Sequence, residues 1–242
     1  MRKLAIVFCV LLLAGAAIAR EATITPAGNL NIQKYGAVPT LMDAQQDCAL
    51  GNVDFDGLQG HYSSWWLGFE DYAYLVNPAV EGCGCSEGFI VSAVHMLLAL
   101  DTDTDIQVQG ALYTAVPDGF GCLIPGVELY AGPVMNVTGI TELNYYDVAA
   151  PITNATYACV PGNADYFLVF RFLDDGAASV GLAVDSTPSG CVNYNDWGSG
   201  WEELVDNYGF AGDLYIWGDA ECCVNAVPSE TSSWGDVKSL FR

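Results

Sequence analysis

The stretch FIVSAVHMLLAL at Phe89–Leu100 decides the fold class, because it is mostly apolar at positions that would face both sides of a strand. A run of this kind, bounded by turn residues, is typical of a strand in the centre of a sheet. Residues 166–173 (YFLVFRFL) form a second such run, rich in aromatic and β-branched side chains. Between these two, residues 106–113 alternate apolar and polar side chains, which is the period-two pattern of a half-buried strand.

Further strands are predicted at 69–76, 127–131, 143–148, 152–160, 180–184 and 214–217. Turn-forming triplets stand between the predicted strands: Pro117-Asp118-Gly119, Ile124-Pro125-Gly126, Pro161-Gly162-Asn163, Asp174-Asp175-Gly176 and Pro188-Ser189-Gly190. A convincing helical period occurs only at 201–208 in this part of the chain. Many short strands with Gly/Pro turns predict an all-β protein, an antiparallel β-sandwich of the jelly-roll-like kind.

The N-terminus has the features of a secretory signal peptide. Arg2 and Lys3 precede an apolar run at 4–19, which ends in Ala17-Ile18-Ala19. We expect cleavage after Ala19, with an uncleaved anchor as the alternative; no later run is long enough to span a membrane. The predicted organisation is a signal peptide at 1–19, an N-terminal segment at 20–60 joined to the main domain, the β-sandwich domain at 61–225, and a linker with a short C-terminal helix or tail at 226–242.

The chain is strongly acidic, with 29 Asp and Glu against 7 Lys and Arg and a formal net charge of −22. No basic patch is present to meet phosphate groups, which excludes nucleic acid and anionic membranes as partners. The acids are scattered among plentiful apolar residues, so the charge does not indicate disorder. Neutral sugars and divalent cations remain compatible with such a surface.

Eight cysteines follow the signal peptide. They are Cys48, Cys83, Cys85, Cys122, Cys159, Cys191, Cys222 and Cys223. An even number in an exported chain predicts disulfides, although the spacing cannot choose the pairing. The alternative is a zinc site of Cys83, Cys85, Cys222 and Cys223, but Cys-x-Cys and Cys-Cys are not the usual zinc spacings. The location that follows is extracellular, periplasmic or on the cell surface.

The densest acidic cluster is a candidate Ca²⁺ site. Asp101, Asp103 and Asp105 alternate with Thr and could present several hard oxygens to the ion. Ile106 stands where an EF-hand loop needs Gly, so the site would not be an EF-hand. The alternative is a solvated turn between two strands, and no other cofactor is predicted.

Aromatic residues near predicted loops and strand edges are candidates for stacking on sugar rings. They are Trp65, Trp66, Tyr72, Trp197 and Trp201. An aromatic face that contacts a sugar does so by the same apolar contact that buries aromatics in cores. The alternative is therefore that these rings are core residues. Their exposure decides between the two.

Motifs for a nucleophilic serine, a zinc protease or a phosphate loop are absent from the sequence. His95 lies within an apolar strand, which predicts a buried, hydrogen-bonded structural histidine. His61 stands in a loop context without further indication. A glycosidase would need two carboxyl groups at a fixed separation. Candidate carboxylates are Glu70, Glu128, Glu142, Glu202 and Glu203, and nothing in the sequence selects two of them.

Several motifs between Cys83 and Cys223 resemble those of a set of uncharacterised secreted bacterial proteins. The motifs are Cys83-Gly84-Cys85, Leu112-Tyr113, Tyr166-Phe167-Leu168, Asp185, Cys191-Val192-Asn193-Tyr194-Asn195-Asp196-Trp197-Gly198, Gly200-Trp201-Glu202-Glu203-Leu204, Gly212, Trp217 and Cys222-Cys223. The ending at 233–242 is also similar to a tail of exported proteins from such bacteria. The resemblance implies an extracellular jelly-roll-like module, and it supplies no functional residues.

The function predicted from the sequence is a secreted, non-catalytic extracellular or cell-surface module that binds glycan or has a structural role. Its expected partners are polysaccharide or cell-envelope components. The alternative is a secreted hydrolase of the glycosidase type, whose carboxylates converge only in the folded chain.

Overall fold

The computed structural model describes residues 24–28, 31–35, 47–63, 65–66, 68–81, 85, 88–152, 159–174 and 180–223. The predicted signal peptide at 1–19 and the predicted linker and tail at 226–242 lie outside these residues. The strands are β1 (Ile24–Pro26), β2 (Ile32–Tyr35), β3 (Asp47–Gly51), β4 (Gly60–Tyr62), β5 (Asp71–Val76), β6 (Phe89–Leu100), β7 (Ile106–Pro117), β8 (Leu123–Ala131), β9 (Met135–Val137), β10 (Asn144–Pro151), β11 (Tyr166–Phe172), β12 (Gly181–Val184), β13 (Asn193–Asp196), β14 (Glu202–Glu203) and β15 (Ile216–Cys222). A short helix, α1, covers Leu204–Tyr208.

The strands form two sheets. The eight-stranded sheet has the order β1-β4-β12-β6-β10-β2, and β15 pairs with both β6 and β3. The seven-stranded sheet has the order β14-β13-β5-β11-β7-β8, and β9 also pairs with β7. Neighbouring strands are antiparallel except for β10 and β2, which are parallel. The predicted all-β antiparallel sandwich is confirmed, with the parallel pair of β10 and β2 as an exception.

The core lies between the two sheets. Met96 and Leu98 of β6 and Leu168 and Phe170 of β11 are fully buried in one apolar cluster. Side chains on a strand alternate between faces, so their neighbours Leu97 and Val169 belong to separate clusters. These two smaller clusters lie on the outer faces of the eight- and seven-stranded sheets, which leaves both outer faces partly covered by side chains.

Two local predictions have different outcomes. The turn predicted at Ile124-Pro125-Gly126 is wrong, because these residues belong to β8, where the pairing with β7 shifts register. Proline is tolerated there because β8 pairs with β7 and, among the described residues, with no other strand. The helical period at 201–208 is confirmed in its second half by α1. Glu203 caps the start of α1, and Gly209 ends it with φ 69°.

Disulfides join distant parts of the fold, as predicted. They pair Cys85 with Cys222, Cys122 with Cys191 and Cys159 with Cys223. Cys48 is also disulfide-bonded, whereas Cys83 lies outside the described residues. The bond between Cys85 and Cys222 excludes these two residues from the alternative zinc site. The bonds indicate an oxidising, extracytoplasmic environment. Within the described ranges, no helix has the length and apolarity needed to cross a membrane.

Candidate ligand-binding face

A polar cluster centred on Arg171 occupies the outer face of the seven-stranded sheet. Arg171 Nε lies 3.3 Å from Asp71 Oδ2, and Nη1 donates to Gln109 Oε1 at 3.1 Å. Its Nη2 lies 2.5 Å from Glu128 Oε2 and also donates to the Tyr113 hydroxyl. The guanidinium carbon stands 5.3 Å from the centroid of the Tyr113 ring, within cation–π range. One guanidinium therefore links side chains from β5, β7 and β8.

The strand register explains why these residues meet. Arg171 on β11 lies directly opposite Asp71 on β5 and opposite Gln109 on β7. Asp71 in turn lies opposite Asp196 on β13. Side chains that are directly opposite on one face have Cβ atoms about 4.5–5.5 Å apart. The result is a polar row, Gln109–Arg171–Asp71–Asp196, that runs across four strands.

The carboxyl group of Asp71 has a raised pKa. Burial raises the pKa of its carboxyl group, the Arg171 guanidinium opposes this effect, and the negative charge of Asp196 adds to it; the pKa is about 6. An ordinary Asp titrates near 3.8. Asp71 is therefore a carboxyl group that changes charge near neutral pH on a partly exposed protein face.

Trp201 lies beside the polar row. Its ring packs against the outer apolar cluster of the seven-stranded sheet and meets the Tyr113 ring edge-on, with centroids 6.1 Å apart. The loop before Trp201 is held by Asp196, whose Oδ1 accepts hydrogen bonds from the backbone N–H groups of Gly198 and Gly200 at 2.7 and 3.1 Å. Trp201 and Tyr113 are both partly exposed. We call the set Trp201, Tyr113, Gln109, Glu128, Arg171, Asp71 and Asp196 the Arg171 face.

The chemistry of the Arg171 face suits a hydroxyl-rich ligand. Carboxylate and amide oxygens accept hydrogen bonds, the phenol both donates and accepts, and the two rings offer apolar surface. Apolar walls with a few placed polar groups are typical of small-molecule and sugar sites. A hydrophobic partner would leave these polar groups without solvent, which costs free energy.

The other predicted aromatic platforms lie deeper. Trp65 and Tyr72 are completely buried, and Trp66 is 7% exposed. These three rings are core residues, so the exposed face that stacking on a sugar requires is missing from them. Trp197 is partly buried, with its ring 5.5 Å from Tyr208. Of the five predicted aromatic residues, Trp201 is the one that the fold places beside a polar cluster.

The Asp-rich turn at residues 101–105, the predicted Ca²⁺ site, lies within the residues that the structure describes. Asp101 Oδ1 accepts a hydrogen bond from the backbone N–H of Asp103 at 3.1 Å, and Asp103 and Asp105 are exposed. This is the local side-chain-to-backbone bond of an ordinary Asx turn. In the part of the chain that the structure describes, no three His, Cys, Asp or Glu side chains gather so as to hold a metal ion. The Ca²⁺ site stays a prediction without structural support.

His95 is buried and hydrogen-bonded, as predicted. Its Nδ1 lies 2.6 Å from Asp147 Oδ1 and its Nε2 lies 3.1 Å from Asp219 Oδ2. Burial alone would lower the pKa of His95, but the two carboxylates outweigh burial and raise it to about 9. Its ring stacks on Trp217 with centroids 4.8 Å apart. The arrangement is a charged structural cross-link on the eight-stranded sheet.

His61 is also buried, 7% exposed, and lies on β4, where the sequence suggested a loop. Its Nδ1 lies 3.0 Å from the Tyr145 hydroxyl. Burial lowers the pKa of His61, so the neutral imidazole is favoured. The two histidines of the chain therefore have opposite titration behaviour.

The glutamates considered for a hydrolase are dispersed. Glu128 belongs to the Arg171 face, whereas Glu70 accepts a hydrogen bond from the Tyr72 hydroxyl and Glu203 caps α1. Glu142 and Glu202 accept hydrogen bonds from neighbouring side chains. Sequence reasoning missed the other five members of the face, which are Arg171, Asp71, Asp196, Gln109 and Tyr113. The available signal was one arginine within the otherwise apolar run of residues 166–173.

The profile of DUF7451, a domain of unknown function, matches residues 70–220 of the chain, a range that contains the whole Arg171 face. The chain belongs to the DUF7451 family. No curated protein matches this DUF7451 chain significantly in sequence.

The DUF7451 chain is also similar to two solved structures. One contains the cysteine protease and lectin-like domains of Cwp84, a surface layer associated protein of Clostridium difficile, with 9% identity and a TM-score of 0.47 over 75% of this chain and 37% of that one. The other is the clostridial cysteine protease Cwp84 after propeptide cleavage, with 10% identity and a TM-score of 0.43 over 69% of this chain and 41% of that one. The chain therefore spans well under half the length of either.

Proposed function

We propose that the protein is an exported glycan-binding module that acts outside the cytoplasm or at the cell surface, and that the Arg171 face binds the sugar. The observation that carries the proposal is the contact series Trp201–Tyr113–Arg171, which joins two partly exposed rings to a fixed guanidinium. The disulfides support an extracytoplasmic location.

The Arg171 face offers apolar contact for the ring of a sugar and hydrogen-bond partners for its hydroxyl groups. The apolar C–H face of a sugar ring would pack on Trp201 or Tyr113, as apolar groups pack on aromatic rings. Its hydroxyl groups would meet carboxylate oxygens of Asp71 and Glu128. Because Arg171 already fixes the orientation of these carboxylates, little side-chain entropy is lost on binding.

The test is a binding screen of the oxidised chain against a panel of soluble polysaccharides, with Ca²⁺ and again with EDTA. The Trp201→Ala variant should bind about tenfold more weakly, because loss of one aromatic contact costs about 1.5 kcal/mol. Phe120→Ala is the matched control. Phe120 is 96% exposed at the tip of the β7–β8 hairpin and lies outside the Arg171 face.

Each result of the binding screen supports or overturns a different statement about the site. Binding that is lost in Trp201→Ala and kept in Phe120→Ala supports the proposal. Absence of binding to every polysaccharide overturns it, and binding that depends on Phe120 alone moves the site to the hairpin tip. Loss of binding in EDTA would favour the predicted Ca²⁺ site at Asp101, Asp103 and Asp105 as a further requirement.

A glycosidase is the second candidate function, and the pair Asp71 and Asp196 favours it. These residues are directly opposite on one face, which places their Cβ atoms about 4.5–5.5 Å apart. The two carboxyl groups of a retaining glycosidase are about 5–5.5 Å apart, so the pair could reach that geometry. The pKa of Asp71, about 6, is in the range of a general acid. Release of reducing ends from a bound polysaccharide, lost in Asp71→Asn, would establish the hydrolase; binding without release would leave the module non-catalytic.

A further inference from the structure

We infer that the glycan of the Arg171 face is linear, carries amino groups and lies across the strands. This inference rests on the proposed function and names the class of its ligand. It is carried by three features of the Arg171 face: the direction of the polar row, the balance of its charges, and the spacing of its carboxylates.

The direction follows from the register. Gln109, Arg171, Asp71 and Asp196 are mutually opposite on β7, β11, β5 and β13, and Arg171 also reaches Glu128 on β8. Adjacent strands are about 4.8 Å apart, so the row across these four strands is about 14 Å long. A ligand that contacts the whole row must be extended and several sugar rings long. An internal segment of a linear polysaccharide has this shape.

The charges of the Arg171 face exclude an anionic ligand. The face contains three carboxylates and one guanidinium; Asp71 and Glu128 form ion pairs with Arg171, and Asp196 lies opposite Asp71. Arg171 already donates to four partners within the face, so it has little capacity left for an external anion. Lys34 is the only other Lys or Arg in the described ranges, and it lies on β2 of the opposite sheet, which also holds the charged His95 on β6. A uronic acid or phosphate-bearing glycan would meet net negative charge.

The spacing of the carboxylates favours a ligand with distributed positive charge over a metal ion. No three acidic, His or Cys side chains among the described residues are gathered to hold one ion. Asp71 and Asp196 instead lie next to each other on one side of Arg171, and Glu128 contacts Arg171 from the other side. Ammonium groups spaced along a sugar chain could each meet one carboxylate in a charge-assisted hydrogen bond. The rings of Trp201 and Tyr113 supply apolar contact that does not depend on these charges.

The experiment compares three oligosaccharides of one backbone: chitosan hexamer, which carries amino groups, its neutral N-acetylated form, and the carboxymethylated derivative of that N-acetylated form, which is anionic. With three carboxylates and one guanidinium, the face has a net charge of −2, and exposed ion pairs are individually weak. The amino form should therefore bind about two- to thirtyfold more tightly than the neutral form at low salt. This preference should shrink in 0.5 M salt because of screening, and the anionic form should not bind.

Charge variants test whether the preference belongs to the Arg171 face. Asp196→Asn can still accept the hydrogen bonds of its loop, so it should fold, and it should lower the preference for the amino form about threefold. Glu128→Gln is a second variant with the same expectation. Asp56→Asn is the matched control, because it removes the same charge from an exposed position outside both the Arg171 face and the predicted Ca²⁺ turn. Unfolding temperatures of all variants check their folding.

Failure of the inference is distinguishable from failure of the proposed function. Equal or weaker binding of the amino form, or binding of the anionic form, overturns the inference and leaves glycan binding intact. Binding of other neutral polysaccharides with no binding of any chitosan-type hexamer has the same meaning. Absence of binding to every glycan overturns both. An amino preference that Asp56→Asn abolishes as fully as Asp196→Asn also overturns the inference, because it would reflect overall charge.

Discussion

Replacing His95 by Gln should destabilise the protein by an amount that depends on pH. The imidazole lies between Asp147 and Asp219 and is 5% exposed. Gln can donate one hydrogen bond but carries no charge. The variant therefore leaves Asp147, which is 7% exposed, as a buried carboxylate without a cationic partner.

The magnitude follows from the pKa of His95, which rises from 6.5 to about 9 in the fold. Each pKa unit corresponds to about 1.4 kcal/mol, so the charged form contributes about 3 kcal/mol to stability. Because the folded pKa is the higher one, this contribution is complete below pH 6.5 and is lost as the pH rises through 9. The stability difference between wild type and His95→Gln should therefore be about 3 kcal/mol larger at pH 6 than at pH 10.

Urea unfolding of both oxidised proteins at pH 6, 8 and 10, followed by tryptophan fluorescence, measures this difference. Groups that titrate in both proteins, such as the tyrosines, cancel in the comparison. A difference between the two proteins that stays constant from pH 6 to pH 10 would refute the reasoning. It would mean that the imidazole is neutral in the fold and that its two carboxylate contacts do not hold a proton on it.

Three further predictions concern other parts of the fold. Burial lowers the pKa of His61, so the stability that its neutral form contributes is present above pH 6.5 and is lost as the pH falls. The urea midpoints of wild type and His61→Gln should therefore converge as the pH falls from 7.5 to 5. A difference between the midpoints that stays constant over this pH range would contradict the prediction. Gly212→Ala should lower the free energy of unfolding by about 3 kcal/mol, because a Cβ there would lie 1.9 Å from the carbonyl oxygen of Asp185. An unchanged melting temperature would show that the backbone can shift to avoid this contact. Replacing both Cys122 and Cys191 by Ser should lower the free energy of unfolding by about 2–4 kcal/mol, because the bond closes a separation of 69 residues. An unaltered calorimetric transition would argue against this constraint.

Local patterns were sufficient to predict much of the fold. The run at Phe89–Leu100 became β6 with the predicted bounds, because a strand buried on both faces needs apolar residues at nearly every position. Residues 166–173 became β11, one residue shorter. The turn predicted around Pro125 was wrong because the same Pro-Gly pair suits both a turn and an irregular edge strand. Which of the two forms depends on the pairing of β8 with β7.

The candidate site was less accessible to sequence reasoning. Trp65 and Trp201 look alike in sequence, and their burial depends on packing with residues far along the chain. The contact between Arg171 and Glu128 joins residues 43 apart, and it exists only because β7 lies between their strands. The carboxylate partners of His95 were equally hidden, since they come from β10 and β15.

The most direct test of the glycan-binding face is NMR titration of the oxidised chain with ¹⁵N-labelled tryptophan, using the polysaccharide that binds most tightly in the screen. The chain has six tryptophans, so each indole N–H can be assigned by substitution. Our account predicts that the Trp201 indole signal moves saturably with added glycan, while that of Trp217, buried on the opposite sheet, stays in place. A bound glycan that shifts the Trp217 signal and leaves the Trp201 signal unchanged would contradict the account.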